Sequence, residues 1–92
     1  MTIPSKPDNV LLISVFNSLE KRFCPPICFG GPGAVEMGRR AFAGAIAAIP
    51  QGSPTRPSDL SLYVLGDYDP VSGRVFSYDS PIDVTLLDQE GR

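Results

Sequence analysis

The chain has 92 residues, 42% of them apolar and 20% charged, with a formal net charge of −2. Those values describe a single domain with a modest core and exclude disorder throughout. With no histidine the usual general base is missing, Ser-His-Asp and Cys-His arrangements are excluded, and the longest apolar run, residues 41–49, falls far short of the ~20 residues that a bilayer requires.

Residues 1–8 carry two prolines and read as an irregular arm. Residues 10–16 form an apolar run broken only by Ser14, with three β-branched members. Seven residues are few for a helix, so the run predicts a strand largely covered on both faces. The stretch 17–22 is polar and turn-like. Residues 23–29 predict a second short strand, which Pro25 and Pro26 confine to an edge or an irregular extended piece. Cys24 and Cys28 flank those prolines. In extended chain their Cα atoms would stand ~13 Å apart, too far for a disulfide. No set of partners completes a metal site around them, so they read as reduced, small apolar residues.

Gly30-Gly31-Pro32-Gly33 is a break, and the helix it precedes covers residues 34–49. Pro32 suits its first turn. Val35, Gly38, Phe42, Ile46 and Ile49 recur at helical spacing and form an apolar stripe, with Gly38 suited to a close approach of another backbone. Glu36 and Arg40 form an i,i+4 pair on another face. Residues 50–54 end the helix, and 55–59 continue as loop. Residues 61–68 alternate as a strand, with Leu62 and Val64 on one face and Tyr63 and Leu65 on the other. Asp69-Pro70-Val71-Ser72-Gly73 is a turn, with Gly73 suited to the left-handed conformation. Residues 74–78 return as the partner strand. Pro81 interrupts it, residues 82–87 form a short extended end, and residues 88–92 fray. The expected architecture is α+β: one helix packed on a small, largely antiparallel sheet with a C-terminal β-hairpin. A flexible arm over 1–9, a single domain over 10–87 and a flexible tail over 88–92 complete it.

Several features invite chemistry. Asp67, Asp69, Asp79 and Asp83 surround the hairpin and could pair as metal ligands or as acid and base. For Asp67 and Asp69 the simpler reading is that they cap the turn. The glycine-rich break before the helix suggests a phosphate loop, but the Lys-Ser/Thr ending is missing, so a plain helix start is preferred. The charge is unevenly spread. Residues 1–56 hold Lys6, Lys21, Arg22, Arg39, Arg40 and Arg56 against Asp8, Glu20 and Glu36, a balance of +3. Residues 57–92 hold Arg74 and Arg92 against Asp59, Asp67, Asp69, Asp79, Asp83, Asp88 and Glu90, a balance of −5. An acidic chain exerts no long-range pull on nucleic acid, so any contact with it must be local and lie in the first half. The candidate contacts are the doublets Lys21-Arg22, just before Phe23, and Arg39-Arg40, expected off the apolar stripe. A basic groove with stacking aromatics is one way of holding single strands, while solvated charge is the plainer alternative.

The segment from Asp59 to Val75, Asp-Leu-Ser-Leu-Tyr-Val-Leu-Gly-Asp-Tyr-Asp-Pro-Val-Ser-Gly-Arg-Val, resembles the hairpin of the small nonstructural protein of gokushovirus-type microviruses. Val15-Phe16-Asn17-Ser18 is similar to the family's opening strand and turn. Pro25-Pro26 matches its proline step, and Arg39-Arg40-Ala41-Phe42 resembles part of its helix. The resemblance spans roughly residues 10–82, with the hairpin its specific part. Gly30-Gly31-Pro32-Gly33 departs from the family's polar loop, and the 17–22 turn differs in detail. The family is described as DNA-binding or as serving single-stranded DNA synthesis. By genome position it is similar to the small protein of isometric coliphages that turns replication toward single strands for packaging.

The resemblance thus implies a non-enzymatic phage protein of the host cytoplasm, without catalytic residues, metal or cofactor, supporting synthesis or packaging of a single-stranded DNA genome. Its expected partners are single-stranded viral DNA and the phage replication initiator or procapsid proteins; the resemblance carries no binding motif, so the expected DNA contacts, Lys21, Arg22, Arg39 and Arg40, rest on the charge doublets. No membrane is expected, and a homo-oligomer stays open. The rival expectation is a protein-interaction module without DNA affinity, which the acidic second half favours.

Overall fold

The apolar run near the N-terminus becomes the central strand of the molecule. In the computed structural model, which describes residues 8–85, it forms β1 (Val10–Asn17). Two short strands, β2 (Arg22–Phe23) and β3 (Ile27–Phe29), pair antiparallel with the same side of β1. Between them lie Cys24, Pro25 and Pro26. Neither proline has an N–H to give a ladder, so the edge strand is split at that point. The other side of β1 pairs antiparallel with β4 (Leu60–Tyr68), which pairs in turn with β5 (Val75–Asp83). The result is a small α+β fold, one helix on an antiparallel sheet that ends in the β4–β5 hairpin.

The helix α1 (Ala34–Ala47) starts without a side-chain cap; the Ala34 and Met37 N–H groups donate to the Gly31 and Gly33 carbonyls. It stops two residues before the expected Ile49. A residue that precedes proline is pushed out of the α region, and Pro50 follows Ile49. Its stripe faces the sheet as predicted: Gly38 and Phe42 are buried, and Val35 and Ile46 are half-buried against a core of Leu11, Ile13, Leu62, Val64 and Val84. At Gly38 it is the Ile13 side chain that comes close; a Cβ there would lie 2.9 Å from Ile13 Cδ1.

The hairpin turn follows its sequence. Gly73 adopts φ +77°, its N–H donates to the Asp69 carbonyl, and the Asp69 carboxylate accepts the Val71 N–H. Asp67 does not cap this turn, contrary to expectation. It is buried, accepting a hydrogen bond from Asn9 Nδ2 at 3.0 Å and a longer one from the Tyr78 hydroxyl at 3.4 Å. Pro81 does not end the returning strand either. The register jumps from Gly66 opposite Ser77 to Val64 opposite Ile82, so residues 78–81 bulge outward and Pro81 sits where no ladder N–H is required. Gly66 makes this crossing possible, since a Cβ there would collide with the Phe76 carbonyl oxygen. Beyond the bulge the strand re-docks, with the Val84 N–H donating to the Leu62 carbonyl and the Leu62 N–H to Thr85 Oγ1.

The predicted arm and tail lie outside the described residues except for Asp8 and Asn9. Among the described residues no helix is long and apolar enough to cross a membrane.

Candidate nucleic-acid interface

The β1–β2 turn is built by one side chain. Asn17 is buried, and its Oδ1 accepts the N–H groups of Leu19 and Glu20 at 2.9 and 3.3 Å. The Lys21 N–H closes the turn on the Asn17 carbonyl at 2.7 Å, with Lys21 itself held at φ +59°. Ser18 ties the corner to the start of β4, its N–H and hydroxyl both donating to the Asp59 carbonyl. Lys21 and Arg22 are therefore presented, exposed, from a pinned corner.

The strand register places an aromatic cluster beside that corner. Phe16 stands across from Phe23 on one side and Ser61 on the other, and Tyr63 stands across from Ser14. Directly paired residues share a face, and alternate residues of a strand do too, so Phe16, Phe23 and Tyr63 project on one side. Their ring centroids are 4.9 Å (Phe16–Phe23), 5.6 Å (Phe23–Tyr63) and 6.3 Å (Phe16–Tyr63) apart, tilted or edge-on. Ile13, Leu62 and Val64 occupy the opposite face, where Phe42 of the helix packs, so the rings lie on the face away from the helix. Phe23 is 37% exposed, while Phe16 and Tyr63 are half-buried.

The second basic doublet is split by the fold. Arg40 is exposed on the helix, on the other side of the sheet from the rings. Arg39 is only 6% exposed, and its placement corrects the expectation that the doublet lies off the apolar stripe. Its Nε donates to the Val84 carbonyl at 2.9 Å, and its Nη1 pairs with Glu36. It fastens the helix to the segment just beyond β5. Lys21 and Arg22 thus stand at the sheet edge next in the chain to Phe23, with Arg22 paired to Asn17 and alternating to the face opposite the rings; Arg40 stands apart, and Arg39 is structural.

The ring cluster escaped the sequence reading except for Phe23, noticed beside Lys21-Arg22. Period two already placed Tyr63 opposite Leu62 and Val64, but only the β1–β2 and β1–β4 registers bring the three rings together. Among the described residues, concavities flank the helix on two sides. An apolar groove of about 220 Å³ runs between Ala41, Phe42 and Ala45 and the edge residues Pro25 and Ile27. A wider one, about 490 Å³, lies between Arg39 and Ile46 on one wall and Pro57, Asp83 and Thr85 on the other. Cys24 and Cys28 are both free thiols and are exposed rather than packed. The chain matches no family model, no curated protein and no solved structure.

Proposed function

We propose that this chain is a non-enzymatic phage protein that binds single-stranded DNA while the single-stranded genome is synthesised or packaged in the host cytoplasm. The observation that carries the reading is the pinned β1–β2 corner, which presents Lys21 and Arg22 at the sheet edge, next in the chain to Phe23 of the aromatic cluster. Cations at fixed positions neutralise phosphates and release their counterions, and this supplies most of a sequence-independent affinity. The hairpin and helix resemblance to the gokushovirus-type nonstructural family supports the phage setting.

Fluorescence anisotropy with a labelled single strand at several salt concentrations tests it. Two phosphate contacts, by Lys21 and Arg22, predict a log–log slope of about −1.4. Affinity is modest and nearly independent of sequence. Absence of binding at low salt, or binding indifferent to salt, overturns the proposal.

A second reading is favoured by the hairpin tip, where Val71 (94%), Val75 and Phe76 are exposed in the acidic half of the chain. It makes the protein an accessory module for the replication initiator or the procapsid, without DNA affinity. Co-sedimentation with those proteins in the absence of DNA, abolished by Val75→Ser with Phe76→Ser, would favour it.

A further inference from the structure

We infer that the Phe16–Phe23–Tyr63 cluster is a stacking platform for one unpaired nucleobase, with Phe23 as the contact ring and the cations of the neighbouring corner, Lys21 and Arg22, taking phosphates along the sheet edge. The inference rests on the DNA-binding reading above and adds to it the atoms that meet the base. Phe16 and Tyr63 are half-buried and brace Phe23 from two sides, at 4.9 and 5.6 Å, so the Phe23 ring is fixed before any ligand arrives. It nevertheless stays 37% exposed. A pre-oriented, partly open ring next to a cationic sheet edge is a combination that single-strand binders use: the ring takes the π-face of any base and the cations take the backbone. A base paired within a duplex is already stacked on both faces and cannot reach a ring in the sheet surface, so the platform selects single strands.

The charges at the corner fit this occupant, and they bound its strength. Glu20 lies in the same turn. This acid offsets part of the attraction of Lys21 and Arg22, leaving stacking as a large share of the binding. A second copy of the chain suits the spot less well. A stable protein interface buries about 800 Å² on each partner around a large apolar centre, and three rings of which only one is open offer much less than that.

The chain has no tryptophan, so Phe23→Trp installs a single reporter at the contact ring. Its fluorescence should be quenched by an oligothymidylate and left unchanged by an abasic strand of the same length and charge. In parallel, Phe23→Leu keeps an apolar residue on the edge strand but removes the π-face. It should weaken oligothymidylate binding by about 5- to 150-fold, the range given by one stacked base, while abasic binding stays as in the parent. If the parent binds both strands equally and Phe23→Leu changes neither, stacking is refuted while DNA binding stands. If the parent binds neither strand, the DNA reading itself falls, and this inference with it. If Phe23→Leu lowers the sedimenting mass of the protein alone, the rings hold a second copy and the inference is overturned.

Discussion

Replacing Arg39 and Arg40 one at a time separates architecture from surface. Arg39 gives the Val84 carbonyl a charge-assisted hydrogen bond, and such a bond contributes about 1.5–3 kcal/mol. Its ion pair adds little, because Glu36 is 63% exposed and an exposed partner reduces the pair to about 0–1 kcal/mol. Truncation also strips the buried aliphatic stem from the helix–strand junction and leaves the Val84 carbonyl without its donor. Arg39→Ala should therefore cost about 2–4 kcal/mol. For a domain of this size each kcal/mol moves Tm by about 4–8 °C, so a drop of about 8–30 °C is expected in thermal circular dichroism. Arg40→Ala, at an exposed helix position, should shift Tm by no more than about 2 °C, as surface substitutions do. Equal small shifts in both variants would refute the clip between α1 and the chain beyond β5. A DNA-binding defect in Arg39→Ala, unless measured well below its own Tm, would report unfolding rather than a lost phosphate contact.

Phe42→Ala empties the centre of the helix–sheet contact and should cost about 3–5 kcal/mol in a urea titration. Gly66→Ala forces β4 and β5 apart at the bulge and should destabilise by about 3 kcal/mol, visible as early amide exchange throughout the hairpin. Lys21→Gly relieves a left-handed residue that bears a side chain and should raise stability by about 1 kcal/mol while weakening any single-strand binding, a pairing of effects that misfolding cannot produce. Intact mass measured without reductant should show Cys24 and Cys28 as thiols; a loss of two mass units would contradict the extended Cys24–Cys28 segment.

The helix and the hairpin were legible because their signals are local. An alanine-rich stripe at helical spacing and an Asp-Pro-x-x-Gly turn act within a few residues of themselves. Arg39 was readable too, and was misread: four residues after Val35 and three before Phe42, it falls on the apolar stripe by period alone, yet as half of a doublet it looked like a solvated face. Asp67 was out of reach, since its partner Asn9 lies 58 residues away in the chain and only the β1–β4 pairing brings the two together. The bulge across from Gly66 was hidden for a related reason. Pro81 signals a break in a ladder, and whether the strand ends there or steps outward and returns depends on what Leu62 and Val64 offer on the other side. The ring cluster belongs with these, three aromatics on three strands whose meeting is a matter of register.

The two outer margins of the sheet carry a further consequence. A free strand edge is a template on which another chain can lay itself down, and a long, flat edge invites fibres. Here one margin is cut into β2 and β3 by Pro25-Pro26, and the other steps away from the plane over residues 78–81 around Pro81. Among the described residues neither margin offers an unbroken row of amides and carbonyls long enough to recruit a neighbour. A chain with few buried side chains can thus accumulate without its copies seeding one another into amyloid through these margins.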